Sequence, residues 1–236
     1  MGITQNCNGS CGVVYELSPN GTGGWTESVL YSFQPGIPYG QLVFDKQGNL
    51  YGATGWDEEN PYFGIVYSLS PTGGGQWVFH TVHNFGTGGR NGGGPSVIIN
   101  SEGDLYGTTT EPHMRAFELT PRSGGGFKMH ILYTDFRGSL WGPPVLDAMG
   151  NLYGTFIYGD RNKDASGAVY KLTQSKGKWG LTLLYGFYKG GKNGDSPQSG
   201  VIPDGAGNLY GTTFDGGGTG GCSYDNGCGV VFEITP

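Results

Sequence analysis

Four carboxylates in non-repeating segments are the side chains of this sequence with the best chance of doing acid–base chemistry. Glu58 and Glu59 lie in one such segment, Glu111 in a second and Asp160 in a third. Two carboxyl groups held at a suitable separation are enough to hydrolyse a glycosidic bond. None of the four lies in a catalytic motif, because the sequence has no HExxH, GxSxG or P-loop pattern. Carbohydrate cleavage is therefore one function class to weigh.

The same segments place aromatic residues beside carboxylates, which is a second kind of chemistry. Aromatic faces can stack on the C–H surfaces of sugar rings while polar groups bond to the hydroxyls. The alternative is that these Asp residues only satisfy backbone amides in Gly-rich turns and that these aromatics cover strand ends. The predicted ligand-binding residues are Trp56, Asp57, Glu58, Glu59, Tyr62, Glu111, His113, Trp141, Tyr158, Asp160, Asp215 and Tyr224.

The four cysteines precede similar segments, G-V-V-Y after Cys11 and G-V-V-F after Cys228. Four cysteines allow three pairings, but two loops in different repeats would keep the pairs apart. We expect the local disulfides Cys7–Cys11 and Cys222–Cys228, which fit an oxidising compartment. A zinc site is the alternative, although neither spacing is C-x-x-C and no histidine lies nearby. We expect no cofactor. A Ca²⁺ ion in loop 215–225 would be the exception, but that spacing matches no known calcium loop.

A tandem repeat must position all of these loops. The pattern G-[ND]-L-Y-G occurs four times, about fifty residues apart, and such a period is typical of an array of one small unit. The four copies begin at Gly48, Gly103, Gly150 and Gly207.

Alignment on this motif gives four short segments per repeat, here called strands A, B, C and D. Strand A is a short apolar run before the motif, strand B contains the motif, strand C reads G-x-V-[YF]-x-[LI]-[ST], and strand D begins and ends with aromatics. Each is bounded by Gly, Pro, Asn or Asp, which indicates strands and turns, and no window has helical periodicity. Asp45, Asp147 and Asp204 precede the A–B turn, so we interpret them as turn builders.

A repeated four-stranded meander predicts an all-β fold, a β-propeller of four-stranded antiparallel blades. We predict one domain over residues 1–236, made of about five repeats. Five blades are the first choice and four the alternative, closed by pairing between the N- and C-terminal strands. A third possibility is a piece of a longer array. The predicted repeats are residues 1–40, 41–94, 95–142, 143–199 and 200–236.

The order of these motifs resembles the GloVer tandem-repeat family of bacterial surface and secreted proteins. The resemblance rests on G-N-L-Y-G-T-T, a Gly-rich loop, G-x-V-[FY]-x-L-[ST]-P and L-Y-x-F, and it covers nearly the whole chain. The sequence departs from the pattern at residues 111–115 and at Phe156. The resemblance implies a propeller-like extracellular repeat module and no enzyme activity.

The charge and the apolar segments of the sequence argue against two classes of partner, nucleic acid and the membrane interior. A net charge of −6 argues against nucleic acid, and no apolar stretch approaches the 18 residues of a membrane span. The chain begins within a strand B and shows no signal peptide, as an exported parent trimmed of its leader would. We therefore expect a secreted or cell-surface protein, monomeric or weakly oligomeric.

Two functions follow from these observations. The first is a noncatalytic extracellular module that binds glycan or another surface protein through the end carrying the long B–C and D–A loops. The alternative is a carbohydrate-active enzyme, a glycoside hydrolase or lyase, that uses loop carboxylates at the same end.

Overall fold

The structure is a computed structural model, and every regular element that it describes is a β-strand. Nineteen strands, β1 to β19, lie in the described part of the chain, and no helix there could cross a membrane. The described residues are 2–5, 12–33, 37–56, 64–86, 96–110, 114–134, 136, 138–158, 165–218 and 227–235.

The chain forms two compact units. The first comprises Met1–His113 with Glu118–His130, and the second comprises Met114–Phe117 with Ile131–Pro236. The repeat boundaries and the single domain expected from the sequence stay predictions.

Two sheets lie wholly within the first unit, and in each of them the strands follow one another as in a meander. The order of the first sheet is β1-β2-β3, which corresponds to strands B, C and D, and that of the second is β4-β5-β6-β7. Their bounds are Gly2–Gln5, Gly12–Pro19 and Trp25–Ser32 for β1 to β3, and Ile37–Phe44, Leu50–Trp56, Ile65–Gly73 and Gln76–Asn84 for β4 to β7.

The third sheet has the order β11-β10-β9-β8, again one strand of each kind. Ser96 and Thr108 face each other across β8 and β9, and their hydroxyl oxygens lie 3.1 Å apart. The bounds are Ser96–Ile99, Leu105–Thr109, Arg115–Pro121 and Phe127–Tyr133.

The second unit contains the remaining two sheets. In one, β14 pairs with β12 and β13 on one side and with β15 on the other, and β16 follows β15; in the last, the order is β17-β18-β19. The bounds are Gly138–Ser139, Val145–Leu146, Leu152–Tyr158, Ala165–Ser175 and Lys178–Tyr188 for β12 to β16, and Ile202–Pro203, Leu209–Thr212 and Val231–Ile234 for β17 to β19.

The turn between strands A and B is held together by the aspartate that begins it, as predicted. Asp147 Oδ1 accepts the backbone N–H groups of Met149 and Asn151 at 2.9 and 2.8 Å. Asp147 Oδ2 accepts Asn151 Nδ2 at 2.7 Å and the Tyr153 hydroxyl at 3.0 Å. Gly150 has a φ of 80°, which glycine adopts without the strain that a side chain would bring.

The same turn recurs with the same partners. Asp45 binds Gln47, Asn49 and Tyr51, and Asp204 binds Ala206, Asn208 and Tyr210 in the same way. In the third sheet the roles are exchanged, because Asn100 accepts the backbone N–H groups and donates to Asp104. An amide oxygen can replace a carboxylate oxygen as the acceptor, so the turn survives the exchange.

The core repeats one aromatic contact from sheet to sheet within each unit. The final Phe of a strand D covers the aromatic residue of the next strand C: Phe33 lies 5.0 Å from Tyr67, Phe136 lies 5.3 Å from Tyr170, and Phe187 lies 5.1 Å from Phe232. All three phenylalanines are buried. This contact explains why each strand D ends on an aromatic residue.

The predicted fold class is confirmed: the chain is all-β and is built from antiparallel β-propeller blades. The count of five blades is not confirmed, so the four-bladed alternative stands beside it. The predicted pairing of the two terminal strands is not confirmed either, since β1 and β19 are each an edge strand of a three-stranded sheet.

Candidate functional site

The structure describes only part of the predicted binding set. Of Trp56 and Tyr158 it describes the backbone alone, at the last positions of β5 and β14. Trp141 and Asp215 are described with their side chains, both in the second unit. The rest lie outside the described residues: Asp57, Glu58, Glu59, Tyr62, Glu111, His113, Asp160 and Tyr224.

Three of the four cysteines, Cys7, Cys11 and Cys222, also lie outside the described residues. Both predicted disulfides involve at least one of them. The pairs Cys7–Cys11 and Cys222–Cys228 therefore stay predictions.

In the second unit, two long connections meet at one end of the last sheet. Residues 189–201 join β16 to β17, which is a D–A connection, and residues 213–230 join β18 to β19, which is a B–C connection. The backbones of Asp195 and Asp215 exchange two hydrogen bonds of 2.8 and 3.1 Å. The N–H of Gly217 donates to the carbonyl of Gly191 at 3.0 Å. The meander topology predicted that D–A and B–C loops share an end, and here they do.

Close backbone approach explains the glycines where these connections touch. At Gly216, whose φ is 85°, a Cβ atom would lie 2.7 Å from the Gly191 carbonyl oxygen and equally near the backbone of Gly194. No side chain fits that space without moving the backbone. Gly216 therefore serves packing between the two connections.

Asp195 is a structural residue of this loop pair. It is buried, its Oδ2 accepts the Gly190 N–H at 2.9 Å, and its Oδ1 accepts the Ser196 hydroxyl at 2.8 Å. Both carboxylate oxygens are thus committed to the loop. For this aspartate, the interpretation that loop carboxylates satisfy the backbone is the correct one.

Three exposed aromatic residues border this D–A connection along the backbone, and we call them the aromatic loop surface. Trp141 is 46 % exposed, Tyr188 63 % and Phe214 61 %. The Tyr188 carbonyl accepts the Gly191 N–H at 2.9 Å, and the Phe214 N–H donates to the Ser196 carbonyl at 3.0 Å.

Trp141 joins this surface through the glycine that follows it. A Cβ atom on Gly142 would lie 2.1 Å from the backbone nitrogen of Gly200, so the two backbones are in direct contact. The backbones of Tyr188 and Phe214 thus bond to this connection, and the backbone next to Trp141 contacts it. Trp141 was predicted as a binding residue, whereas Phe214 was missed. Its place in a B–C connection, directly after strand B, was the signal that could have found it.

The polar groups of this surface are mainly donors. Lys189, Lys192 and Asn193 are exposed on the connection, and the Asn193 amide donates to the Tyr185 hydroxyl at 3.1 Å. Asp215 is half-buried. Among the described residues there is no group of three or more His, Cys, Asp and Glu side chains that could hold a metal ion. What the described arrangement offers is exposed aromatic faces beside amide and ammonium groups.

Fold and loops together define a class: a β-propeller repeat protein whose sheets are regular and whose B–C and D–A connections differ from repeat to repeat. The chain belongs to the Gloeobacter/Verrucomicrobia repeat family, whose sequence profile matches residues 2–221. The resemblance read from the repeat motif is therefore confirmed. No curated protein matches the chain.

Proposed function

We propose that the protein is a noncatalytic extracellular module that binds glycan through the aromatic loop surface. The observation that carries the proposal is the exposure of Trp141, Tyr188 and Phe214 where their backbone segments meet the D–A connection of residues 189–201. Large apolar side chains held at the surface by an ordered backbone mark sites of interaction. Flat aromatic faces with amide and ammonium donors beside them suit sugar rings, which have an apolar face and polar edges.

Of the two described carboxylates at this surface, Asp195 and Asp215, Asp195 is not available for catalysis. A general acid or base needs an oxygen within hydrogen-bond reach of the reacting group. Both oxygens of Asp195 are used within the loop instead. The carbohydrate-active enzyme, with Glu58, Glu59, Glu111 and Asp160 as its candidate residues, is the second choice, because none of the four lies in a catalytic motif, and it is an outcome of the test below.

The test is a glycan array, followed by calorimetric titration of the best ligand into matched variants. Trp141→Ala and Tyr188→Ala should each weaken binding about tenfold, which corresponds to about 1.4 kcal/mol, and shift the melting temperature little. The matched control is Trp25→Ala. Trp25 is 65 % exposed, but it begins β3 after the C–D turn, where no binding is expected.

Three results would contradict the proposal. The first is no glycan bound by the wild-type protein. The second is an equal loss of affinity in Trp25→Ala. The third is release of reducing sugar from a polysaccharide panel, which would favour the enzyme.

A further inference from the structure

Ser196 of the D–A connection holds a backbone conformation that side chains disfavour. Its φ is 54°, in the left-handed region where the Cβ atom crowds the backbone. Among the described residues, Lys176 is the one other non-glycine residue with a positive φ, at 51°. Lys176 and Gly177 form the two-residue hairpin loop between β15 and β16, and that kind of loop requires the conformation. Ser196 lies in no hairpin, so its conformation has another cause.

The repeat does not impose this conformation on Ser196. Pro197 and Pro38 are equivalent, since each is buried and lies seven residues before the aspartate of an A–B turn. The residue before Pro38 is Ile37, which belongs to β4 and has no positive φ. The strain at Ser196 is therefore a property of this one connection.

Contacts on both sides of Ser196 force the conformation. Asp195 is buried, and its backbone is paired with that of Asp215 in the B–C connection. Pro197 packs against β15, where a Cβ atom on Gly167 would lie 2.5 Å from Pro197 Cδ. The two neighbours of Ser196 are thus fixed to different elements, and Ser196 takes the φ that joins them.

The strained residue in turn holds the backbone of an exposed aromatic residue. The Ser196 carbonyl accepts the Phe214 N–H at 3.0 Å, and the Ser196 hydroxyl donates to Asp195 Oδ1 at 2.8 Å. Phe214 is 61 % exposed and belongs to the aromatic loop surface. Backbone strain persists only where surrounding contacts over-determine it, and such residues cluster at ligand-binding sites. The position of the Ser196 carbonyl thus decides where the backbone of Phe214 is held.

We propose that Ser196 is a positioning residue of the aromatic loop surface, whose left-handed backbone holds Phe214 in place to receive a sugar ring. The inference rests on the proposed glycan binding, since it assigns a role within that site. A group that is held in its bound position before the ligand arrives loses less freedom on binding, which raises affinity. Glycine adopts the same φ without strain but also leaves it freely, so serine restricts the connection more.

Amide hydrogen exchange of the Phe214 N–H, followed by NMR on the full chain without sugar, tests the positioning directly. In Ser196→Gly, this exchange should be about tenfold faster than in the wild type, because local opening of the connection becomes easier. The melting temperature of Ser196→Gly should not fall, because relief of the strain offsets the greater freedom of glycine in the unfolded chain. The matched control is Lys176→Gly. It relieves an almost equal φ in a hairpin loop and should leave the exchange of Phe214 unchanged.

The second measurement is calorimetric titration with the hexasaccharides of xylose, mannose, glucose and galacturonic acid. For the hexasaccharide that the wild-type protein binds most tightly, Ser196→Gly should lower the affinity about fivefold, and Lys176→Gly should not change it. Ser196→Asn should retain the wild-type affinity, because asparagine tolerates the left-handed region better than other residues with a Cβ atom and holds it more firmly than glycine.

The two measurements separate failure of this proposal from failure of the proposed function. Unchanged exchange of Phe214 in Ser196→Gly, or equal affinity of Ser196→Gly and the wild type, overturns the positioning role and leaves glycan binding intact. Equal losses of affinity in Ser196→Gly and Lys176→Gly would assign both residues to general stability and also overturn it. A wild-type protein that binds neither these hexasaccharides nor any glycan of the array contradicts the proposed function and, with it, the role of Ser196 in binding.

Discussion

At the level of single residues, one position in strand D shows how the repeat tolerates exchange. Tyr31, Tyr133 and Tyr185 occupy the seventh position of their strands, and His83 replaces them in β7. The His83 ring packs edge-on against Phe85 at 4.8 Å, and its buried Nε2 has no hydrogen-bond partner in the described part of the chain. Burial lowers the pKa of His83, because the imidazolium form would lose its hydration.

This burial predicts a pH dependence of stability. The unfolded chain takes up the proton first as pH falls, so the contribution of neutral His83 is complete above about pH 6.5 and is lost as pH falls from there through the lower pKa of the folded state. His83→Tyr, which restores the residue of the other repeats, should remove this part of the pH dependence. Urea unfolding at several pH values between 7.5 and 5 measures it.

The control for this prediction is His80→Gln on the same strand, where the side chain is exposed. That change should leave the pH profile as in the wild type. Identical profiles for His83→Tyr and the wild type would show that His83 does not titrate with folding.

At the turn carboxylate Asp147, unlike at His83, hydrogen bonds outweigh the effect of burial on the pKa. Burial opposes the ionisation of Asp147, but the donors Asn151, Tyr153 and Met149 outweigh it and hold the pKa of this carboxyl below its ordinary value. Burial also raises the pKa of Tyr51 to about 12, with the charge and the hydrogen bond of Asp45 adding to the effect. One carboxylate thus fixes a turn and the first tyrosine of the strand after it.

At the level of elements, strand D acts as the cover of the next sheet. Phe187 of β16 is buried in one core cluster with Val169, Val201 and Leu209. Phe232 and Ile234 of β19 pack against this cluster. A strand that supplies one buried phenylalanine to its neighbour couples two sheets within the second unit. The regular aromatic ends of strand D are therefore scaffold residues, and ligand binding is left to the connections.

Removal of this cover should be costly. Phe187→Ala should lower the free energy of unfolding by about 3–5 kcal/mol, the usual loss for a phenylalanine in a packed core. Phe214→Ala is the matched control in the same unit, because that ring is exposed, and it should change stability by no more than about 0.5 kcal/mol. Equilibrium denaturation of both variants decides the matter, and similar values for the two would refute the cover role.

At the level of the whole molecule, the repeat made the strands, their order and the A–B turn predictable. The D-x-x-G-N pattern predicts the hydrogen bonds of the A–B turn, and only the exchange of Asn100 and Asp104 departs from it. The blade count was less accessible, because closure depends on contacts that a local period does not define. The candidate site was predictable only as a set of connections. Each connection has its own sequence, so no repeat position indicated that the backbones of Phe214 and Tyr188 would both hydrogen-bond to residues 191–196.

The cysteines give a test at this scale. Mass mapping without reduction should find Cys7 joined to Cys11 and Cys222 joined to Cys228, because each pair is close in sequence. A bond between the first pair and the second would contradict local pairing and would require the two ends of the chain to meet. Mapping in buffered iodoacetamide prevents exchange during digestion. Free thiols at all four positions would remove the argument for an oxidising compartment.

The order of strands within the sheets has a consequence for how the protein is made. Nearly every pairing in the described sheets joins strands that are consecutive in the chain. Short separations between partners cost little loop entropy, so each sheet can form soon after its last strand has left the ribosome. Synthesis adds residues at about 5–20 per second, which leaves seconds between one repeat and the next. Within a unit, a later sheet therefore has a finished neighbour to pack against, and folding can advance in step with translation, one repeat at a time.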